Sequence, residues 1–326
     1  MSAEELEQRV AEFLDERAGA PELEPETFAQ RFGAAARVIE SAIARALTLE
    51  RTLMAAQSDE PQRVGPYAIV RELGRGGMGI VYEASRDGRR VALKLLGLAA
   101  GANSSALQRF RREVQTLARL EHPGIVVLHD SGVERGSPYL VMELLQGPPL
   151  SEARLPLDPR EAARLVAQVA RAVSAAHGVG VLHRDLKPQN VILVAGRGPV
   201  LVDFGLAAAL DDASLTESGA VLGTPRYMAP EQARGQPADP RSDVFALGLM
   251  LYELLCGQPA RPERARSELL RSAARREVAL PRAAGRALDR RLERVLLSAV
   301  AWNPGRRTRS AAELADDLER WLEGKP

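Results

Sequence analysis

The segment Gly74-Arg75-Gly76-Gly77-Met78-Gly79 spaces its glycines as G-x-G-x-x-G. A turn of that kind can lay backbone N–H groups on phosphate oxygens, because no side chain keeps the main chain at a distance. Further on, Lys94 sits in the apolar run Val91-Ala92-Leu93-Lys94-Leu95-Leu96, where a charge must be paired or cost several kcal/mol. The choice of lysine is informative. Of 44 cationic residues only Lys94, Lys187 and Lys325 are lysines, and 41 are arginines. An ammonium is a compact point charge and a guanidinium a planar fork, so in a chain that uses arginine wherever any cation serves, the lysines mark places that need the former. Glu113, among the apolar neighbours Phe110, Val114 and Leu117, is the candidate counter-charge for Lys94. Glycine turn, ammonium and carboxylate together point to phosphate chemistry.

The elements around the turn decide which kind. In a dinucleotide-binding fold the third glycine opens a helix. Here Ile80-Val81-Tyr82-Glu83-Ala84 alternates as a strand, Asp87-Gly88 supplies a tight turn, and Val91 to Leu96 runs back. The glycine loop therefore joins two strands of a hairpin sheet. Short β-like runs continue from Tyr67 to about Leu144, broken by one helix from about Ser105 to Leu120. After Pro148 the pattern is mainly helical, with short strands around Val191-Ile192-Leu193 and Val200-Leu201-Val202. This predicts an α+β arrangement in two lobes, a small one over about 67–144 and a larger one over about 148–322. The apolar run from Val244 to Cys256 is too short to cross about 30 Å of hydrocarbon and reads as a buried helix.

Residues 1–57 form a helical N-terminal extension. Leu6, Val10, Phe13 and Leu14 recur at helical spacing, as do Phe28, Phe32, Ala36, Ile39, Ile43 and Leu47 after a start signal at Glu24-Pro25. Such amphipathic helices need a partner. Residues 58–66, from Ser58 to Pro66, are rich in breakers and read as the linker. Composition narrows the classes further. A net charge of +1 gives no reason to expect nucleic acid, and 45% apolar with 27% charged residues is ordinary for a soluble globular protein. The single cysteine, Cys256, excludes an intrachain disulfide framework and a Cys-rich zinc site. The acidic start Met1-Ser2-Ala3-Glu4-Glu5 has neither an export signal nor a myristoylation glycine, so the expectation is a cytoplasmic protein with no membrane partner.

Four segments now fall into order: Val91-Ala92-Leu93-Lys94, His183-Arg184-Asp185-Leu186-Lys187-Pro188-Gln189-Asn190, Asp203-Phe204-Gly205, and Gly223-Thr224-Pro225-Arg226-Tyr227-Met228-Ala229-Pro230-Glu231. They resemble the protein-kinase signature set, over roughly Tyr67 to Leu322, and most of all the bacterial eukaryotic-type (Hanks-type) serine/threonine kinases. The resemblance implies a bilobal protein-kinase-like fold, with a small antiparallel β lobe carrying one helix and a larger, mainly helical lobe. It implies ATP as phosphate donor and Mg²⁺, with Mn²⁺ as an alternative. Asp185 would accept the substrate hydroxyl proton, and Asn190 and Asp203 would hold the metal ions. Lys94, held by Glu113, would fix the α- and β-phosphates, and Lys187 would place its charge on the moving phosphate. Lys187 and Thr224 would indicate serine/threonine specificity. Leu73, Gly74, Gly76, Gly77 and Gly79 would cover the nucleotide, and Val81, Ala92 and Leu193 would sandwich the base. Met142 would be the gatekeeper, and Glu143 and Leu145 would offer backbone groups to adenine. His183 is read as a packing residue, Asp243 as the anchor of the catalytic-loop backbone, and Glu231 as the partner of Arg307. His122, His129 and His177 carry no motif signal.

For regulation, Arg184 directly precedes Asp185 and can grip a phosphate on the activation loop, where Thr216 and Ser218 fall at the family's phosphorylation positions. The expected reaction is phosphorylation of serine or threonine hydroxyls on protein substrates, with autophosphorylation between two copies and a place in signal transduction. The alternative is a catalytically weak kinase-fold scaffold acting through nucleotide binding and its N-terminal helices. Such a protein usually lacks Lys94, Asp185 or Asp203, and all three are present. The stretch from Glu4 to Glu60 carries a formal −7 and Arg261 to Arg294 a formal +6. They are read either as a docking pair or as two solvated faces of an arginine-rich chain.

Overall fold

The structure, a computed structural model, describes residues 5–6, 9–10, 12–13, 16, 24–44, 62–76, 79–96, 104–204, 224–262, 265–275, 278, 281, 285 and 287–325. They fall into two compact units. The first takes the described residues of Met1–Gln108 and Asp130–Val141, and the second those of Arg109–His129, Met142–Ala209 and Val221–Pro326.

In the first unit the N-terminal residues are helical, and they partner one another. Phe13, Phe28, Ala29, Ile39 and Ile43 form a core with at most 1% exposure, and Leu6, Val10, Phe32, Ala35 and Ala36 pack on it. The helix α1, Pro25–Ala29, begins at Glu24-Pro25 as the start signal predicts. The single helix that the Phe28 to Leu47 periodicity predicts from this start is instead broken by a kink at Phe32 and Gly33, where Gly33 takes φ +53, a conformation glycine adopts at little cost. Phe13 and Phe28 meet edge to face at 5.4 Å, and Arg31 covers Phe28 at 5.1 Å while pairing with Glu16.

The sheet of this unit starts within the linker stretch. Arg63–Val64 (β1) pairs antiparallel with Tyr67–Gly76 (β2). Then come Gly79–Arg86 (β3) and Arg89–Leu96 (β4), each antiparallel to its predecessor. Helix α2, Ser104–Leu117, follows β4 in the chain, and Leu128–Glu134 (β5) and Ser137–Glu143 (β6) complete the sheet order β1-β2-β3-β4-β6-β5. The register sorts side chains by chemistry. Tyr82 stands opposite Leu93, Ile80 opposite Leu95 and Ala84 opposite Val91, and these build the apolar core with Tyr67, Tyr139 and Val141. The alternate positions, Val81 opposite Lys94 and Glu83 opposite Ala92, share the other face because successive side chains in a strand alternate. The turn at Asp87 and Gly88 has φ of +51 and +79, the double left-handed geometry of a tight hairpin.

The second unit is built on helices. Pro159–Gly178 (α3) is capped by Asp158, which accepts from the Arg160 and Glu161 amides, and it buries a face of small residues such as Ala162, Val166, Ala170 and Val173. The hairpin of Val191–Val194 (β7) and Gly198–Leu201 (β8) follows. Next come the short helix Pro230–Ala233 (α4) and the central helix Pro240–Cys256 (α5), with Asp239 at its start and Gly257 at φ +73 at its end. As expected for the mainly apolar run from Val244 to Cys256, interrupted only by Tyr252 and Glu253, α5 is buried on nearly every side. Arg266–Arg275 (α6), Arg290–Ala299 (α7) and Ala311–Leu322 (α8) complete the unit. Gly248 lets α7 lie close to α5, since a Cβ there would come within 2.6 Å of Val300.

Candidate active site

The loop between α3 and β7 carries His183 to Asn190, and α5 holds it in place. Asp243, in the first turn of α5 and only 2% exposed, accepts from the backbone amides of His183 at 2.8 Å and Arg184 at 2.9 Å. His177, in the last turn of α3, places its Nε2 2.8 Å from the same carboxylate. One buried acid thus fixes the loop backbone and the end of the preceding helix. The anchoring role of Asp243 agrees with expectation; the contribution of His177 carried no sequence signal, since its partner lies 66 residues away.

His183 is fully buried, meets the Phe204 ring at 4.9 Å with the planes tilted by 40° and puts Nε2 3.1 Å from the Val202 carbonyl. Burial pushes its imidazole below the usual histidine range, so it is a neutral packing group. Arg184 and Asp203 have φ of +63 and +58, left-handed values that cost about 1–3 kcal/mol each in a non-glycine residue and cluster at functional sites.

Around Asp185, itself 5% exposed, the polar groups close into a triangle. The Lys187 ammonium donates to Asp185 Oδ2 at 2.7 Å and to Thr224 Oγ1 at 2.9 Å. The Thr224 amide donates to Asp185 Oδ1 at 2.9 Å. Asn190 donates from its side-chain amide to the Asp185 carbonyl at 2.9 Å, while its own carbonyl accepts from Val202. With the amide nitrogen so used, the side-chain oxygen of Asn190 is the atom that could serve a metal ion. The Asn190 backbone carbonyl accepts from Val202, the residue before Asp203, and the Asn190 and Asp203 side chains carry oxygen donors of the kind a hard cation would prefer. Next to the triangle, a cavity of about 360 Å³ is bounded by Lys187, Thr224, Arg226, Tyr227, Glu253 and Pro259. The Tyr227 hydroxyl donates to Glu253 at 2.5 Å, and burial, reinforced by that carboxylate, raises the phenol far above its usual range.

The segment from Thr224 onward is locked from below. Glu231 accepts from both terminal nitrogens of Arg307, at 2.7 and 3.0 Å, and from Ser242 at 2.7 Å. Burial alone would raise its carboxyl, but Arg307 and Ser242 more than offset that and hold it below the usual carboxylate range. Gln232 bridges this segment to the loop by donating to the Arg184 carbonyl at 3.4 Å. Arg261, 4% exposed, donates to the carbonyls of Pro225, Arg226 and Met228. Neither contact is visible in sequence, because each joins a motif residue to one outside any motif.

In the first unit, Leu73, Gly74 and Gly76 lie on β2, with Gly76 opposite Gly79 on β3. The strand carries two register shifts, one between Ile69 and Arg71 and one at Leu73, between Glu72 and Gly74, irregularities of the kind that bend and twist a strand locally. Val81, Ala92 and Lys94 share one face of β3 and β4, and Lys94 is 7% exposed. In the second unit, Met142 is buried, Glu143 ends β6 and Leu145 follows it, while Leu193 lies on β7. Glu113 falls on α2, but its side chain, and with it the expected Lys94–Glu113 pair, lies outside the described residues, as do Gly77, Thr216 and Ser218.

Comparison with known proteins agrees with this geometry. The family model described as the protein kinase domain matches residues 67–317. The serine/threonine-protein kinase PknB of Mycobacterium tuberculosis is 38% identical over 271 residues, covering 80% of this chain and 43% of PknB. PknD of the same species is 41% identical over 260 residues, covering 77% of this chain and 39% of PknD. The chain therefore spans less than half the length of these curated relatives. The crystal structure of the M. tuberculosis PknI kinase domain superposes with a TM-score of 0.60 at 33% identity, covering 79% of this chain and 96% of that one. Among the described residues, no helix is long and apolar enough to cross a membrane. By sequence and fold alike, the chain belongs to the protein kinase domain family, which in general uses ATP and a divalent metal ion, and its relatives are bacterial serine/threonine kinases.

Proposed function

We propose that this chain transfers the γ-phosphoryl group of ATP to serine and threonine hydroxyls of protein substrates. The observation that carries the reading is the Asp185–Lys187–Thr224 triangle beside an open cavity. Asp185 orients the substrate hydroxyl and takes its proton as the new O–P bond forms and the bond to the departing ADP breaks. Thr224 and Lys187 aim that carboxylate. Lys187 has three N–H donors, two of them on Asp185 and Thr224, and its third is available to the moving phosphoryl group. The Lys94 ammonium, held by Glu113, binds the α- and β-phosphates under the turn of Gly74, Gly76, Gly77 and Gly79. Leu73, Val81, Ala92 and Leu193 hold the base between apolar surfaces beside Met142, while Glu143 and Leu145 hydrogen-bond its edge. Asn190 and Asp203 are the ligands for Mg²⁺ or Mn²⁺, which when bound neutralises phosphate charge.

Autophosphorylation of Thr216 and Ser218, by a second copy, supplies a phosphate for Arg184 to grip and raises activity as a signalling step. A cytoplasmic location follows from the need for ATP. The test is phosphate transfer from ATP·Mg²⁺ to the protein itself and to a generic protein acceptor. Asp185→Asn and Lys94→Met should each be nearly inactive, since each removes part of the transition-state assembly. Activity in the variants comparable to wild type would refute the assignment. Phosphopeptide mapping before and after phosphatase treatment addresses the loop; an equally active enzyme with Thr216 and Ser218 unmodified would remove the regulatory role.

A further inference from the structure

Arg197 belongs to no motif, yet all three nitrogens of its guanidinium are engaged. Nε donates to the Pro123 carbonyl at 2.6 Å and one terminal nitrogen to the Ile125 carbonyl at 2.9 Å. The other terminal nitrogen meets both Glu143 oxygens, at 2.9 and 2.8 Å. Glu143 is held a second time by the neighbouring segment at Val127. Its Oε1 accepts from the Val127 amide at 2.9 Å, and its own amide donates to the Val127 carbonyl at 3.0 Å. Its side chain and backbone nitrogen are therefore both fixed.

We propose that Arg197 is a positioning residue for the nucleotide base, acting through Glu143. The inference rests on the reading above that the Glu143 backbone meets adenine. The β7–β8 turn is shaped to present this one side chain. Gly196 and Gly198, on either side of Arg197, take φ of +75 and +91, and the Arg197 amide closes the turn on the Val194 carbonyl at 3.1 Å. The same hairpin holds the far end of the segment after β6. Leu193 donates to the Pro148 carbonyl at 2.9 Å, and Gly147 passes so close to the Leu193 carbonyl that a Cβ would collide with it. On its other edge the hairpin grips the 123–127 segment, through Leu201 to Gly124 at 2.8 Å and Val126 to Leu201 at 3.0 Å. Residues 143–148 are thus stapled at both ends to β7–β8, and β8 runs directly on to Asp203. One hairpin sets both the place of the base and the place of a proposed metal ligand. Arginine suits the role because only a planar fork can serve a carboxylate and two carbonyls at once.

The test uses the full chain with Arg197→Ala and Arg197→Lys. For Arg197→Ala the KM for ATP should rise about tenfold and the preference for ATP over GTP should fall by a similar factor, with kcat at saturating ATP and the KM for protein substrate within about twofold of wild type. Arg197→Lys, which retains the charge and one hydrogen bond but not the fork, should recover part of the base preference; it also carries the test if the alanine variant does not fold. A parallel binding measurement separates this inference from the kinase reading. Affinity for adenosine should fall in Arg197→Ala, while affinity for Mg²⁺-tripolyphosphate stays within about twofold. Failure of wild-type phosphate transfer would count against the kinase reading, and the adenosine measurement would still decide the clamp. Unchanged adenosine affinity and unchanged ATP-over-GTP preference in Arg197→Ala would overturn it, as would an equal loss of tripolyphosphate binding.

Discussion

Lys187 and Arg307 each meet a carboxylate at 2.7 Å, but the Lys187 side chain is 21% exposed and the Arg307 side chain not at all. Arg307 uses its fork to the full. It holds both oxygens of Glu231, the carbonyls of Ala301, Arg241 and Trp302, and the face of Phe245 at 4.9 Å. Lys187 touches Asp185 and Thr224 and opens onto a cavity. The arginine pair is closed and bears on the fold; the lysine pair leaves a donor for something that arrives. In a chain with 41 arginines and three lysines, the difference in residue type follows the difference in task.

The largest effect expected from breaking this contrast is on stability. Arg307→Ala strands the Glu231 carboxylate in the interior, and denaturant unfolding should show a loss of about 4 kcal/mol. A loss below about 1 kcal/mol would mean the closed pair is not what holds the segment. Lys187→Arg should leave the melting temperature nearly unchanged and lower phosphate transfer about a hundredfold, because a fork satisfied by Asp185 and Thr224 no longer aims a point charge. Full activity in that variant would erase the distinction between the two cations. Thr224→Ala keeps the backbone amide on Asp185 but deletes one acceptor of Lys187, so kcat should drop about tenfold, with Thr224→Ser within about twofold of wild type.

The smallest effect is a pH dependence. Burial lowers the His183 imidazole, so its contribution to stability is complete above the unfolded value of about 6.5 and declines as pH falls toward the folded value. His122, lowered by burial as well, adds to the same stage. The lowered Glu231 carboxyl acts later. Its contribution is complete above the ordinary glutamate value of about 4.3 and is lost as pH falls through the folded value. Urea midpoints between about pH 5 and about pH 7.5 should fall on acidification, and His183→Phe should flatten that slope by about 1 kcal/mol or less. An unaltered slope would show that His183 is not the titrating group.

Much of the site could be read without coordinates. The strands on either side of the glycine turn are there, as is the Asp87-Gly88 turn, because alternation and turn residues are local signals. The ordered motifs name Asp185, Lys187, Thr224 and Asn190, while the family resemblance adds the Asp243 anchor and the Glu231–Arg307 pair, both of which match expectation. What escaped were contacts made by residues that carry no motif signal of their own: His177 with Asp243, Arg261 with the 225–228 carbonyls, and Arg197 with Glu143. In so arginine-rich a chain, one more arginine in a turn is no signal. The N-terminal helices differed in another way. Their periodicity was legible and their need for a partner correctly stated, but the partner is their own Phe13–Phe28–Ile39–Ile43 core.

Residue type and order determined which chemistry this chain could do. Glycines where backbone must approach phosphate, lysines where a point charge is needed, and oxygen ligands for a hard cation are chemical requirements that hold wherever the chain runs. Tertiary structure decided how firmly those groups are held. The Asp243 anchor, the Arg307 lock and the Arg197 staple each join residues 54 to 76 positions apart in sequence. Whether a guanidinium and a carboxylate so far apart lie within 3 Å depends on how every intervening element packs, and no local pattern encodes that.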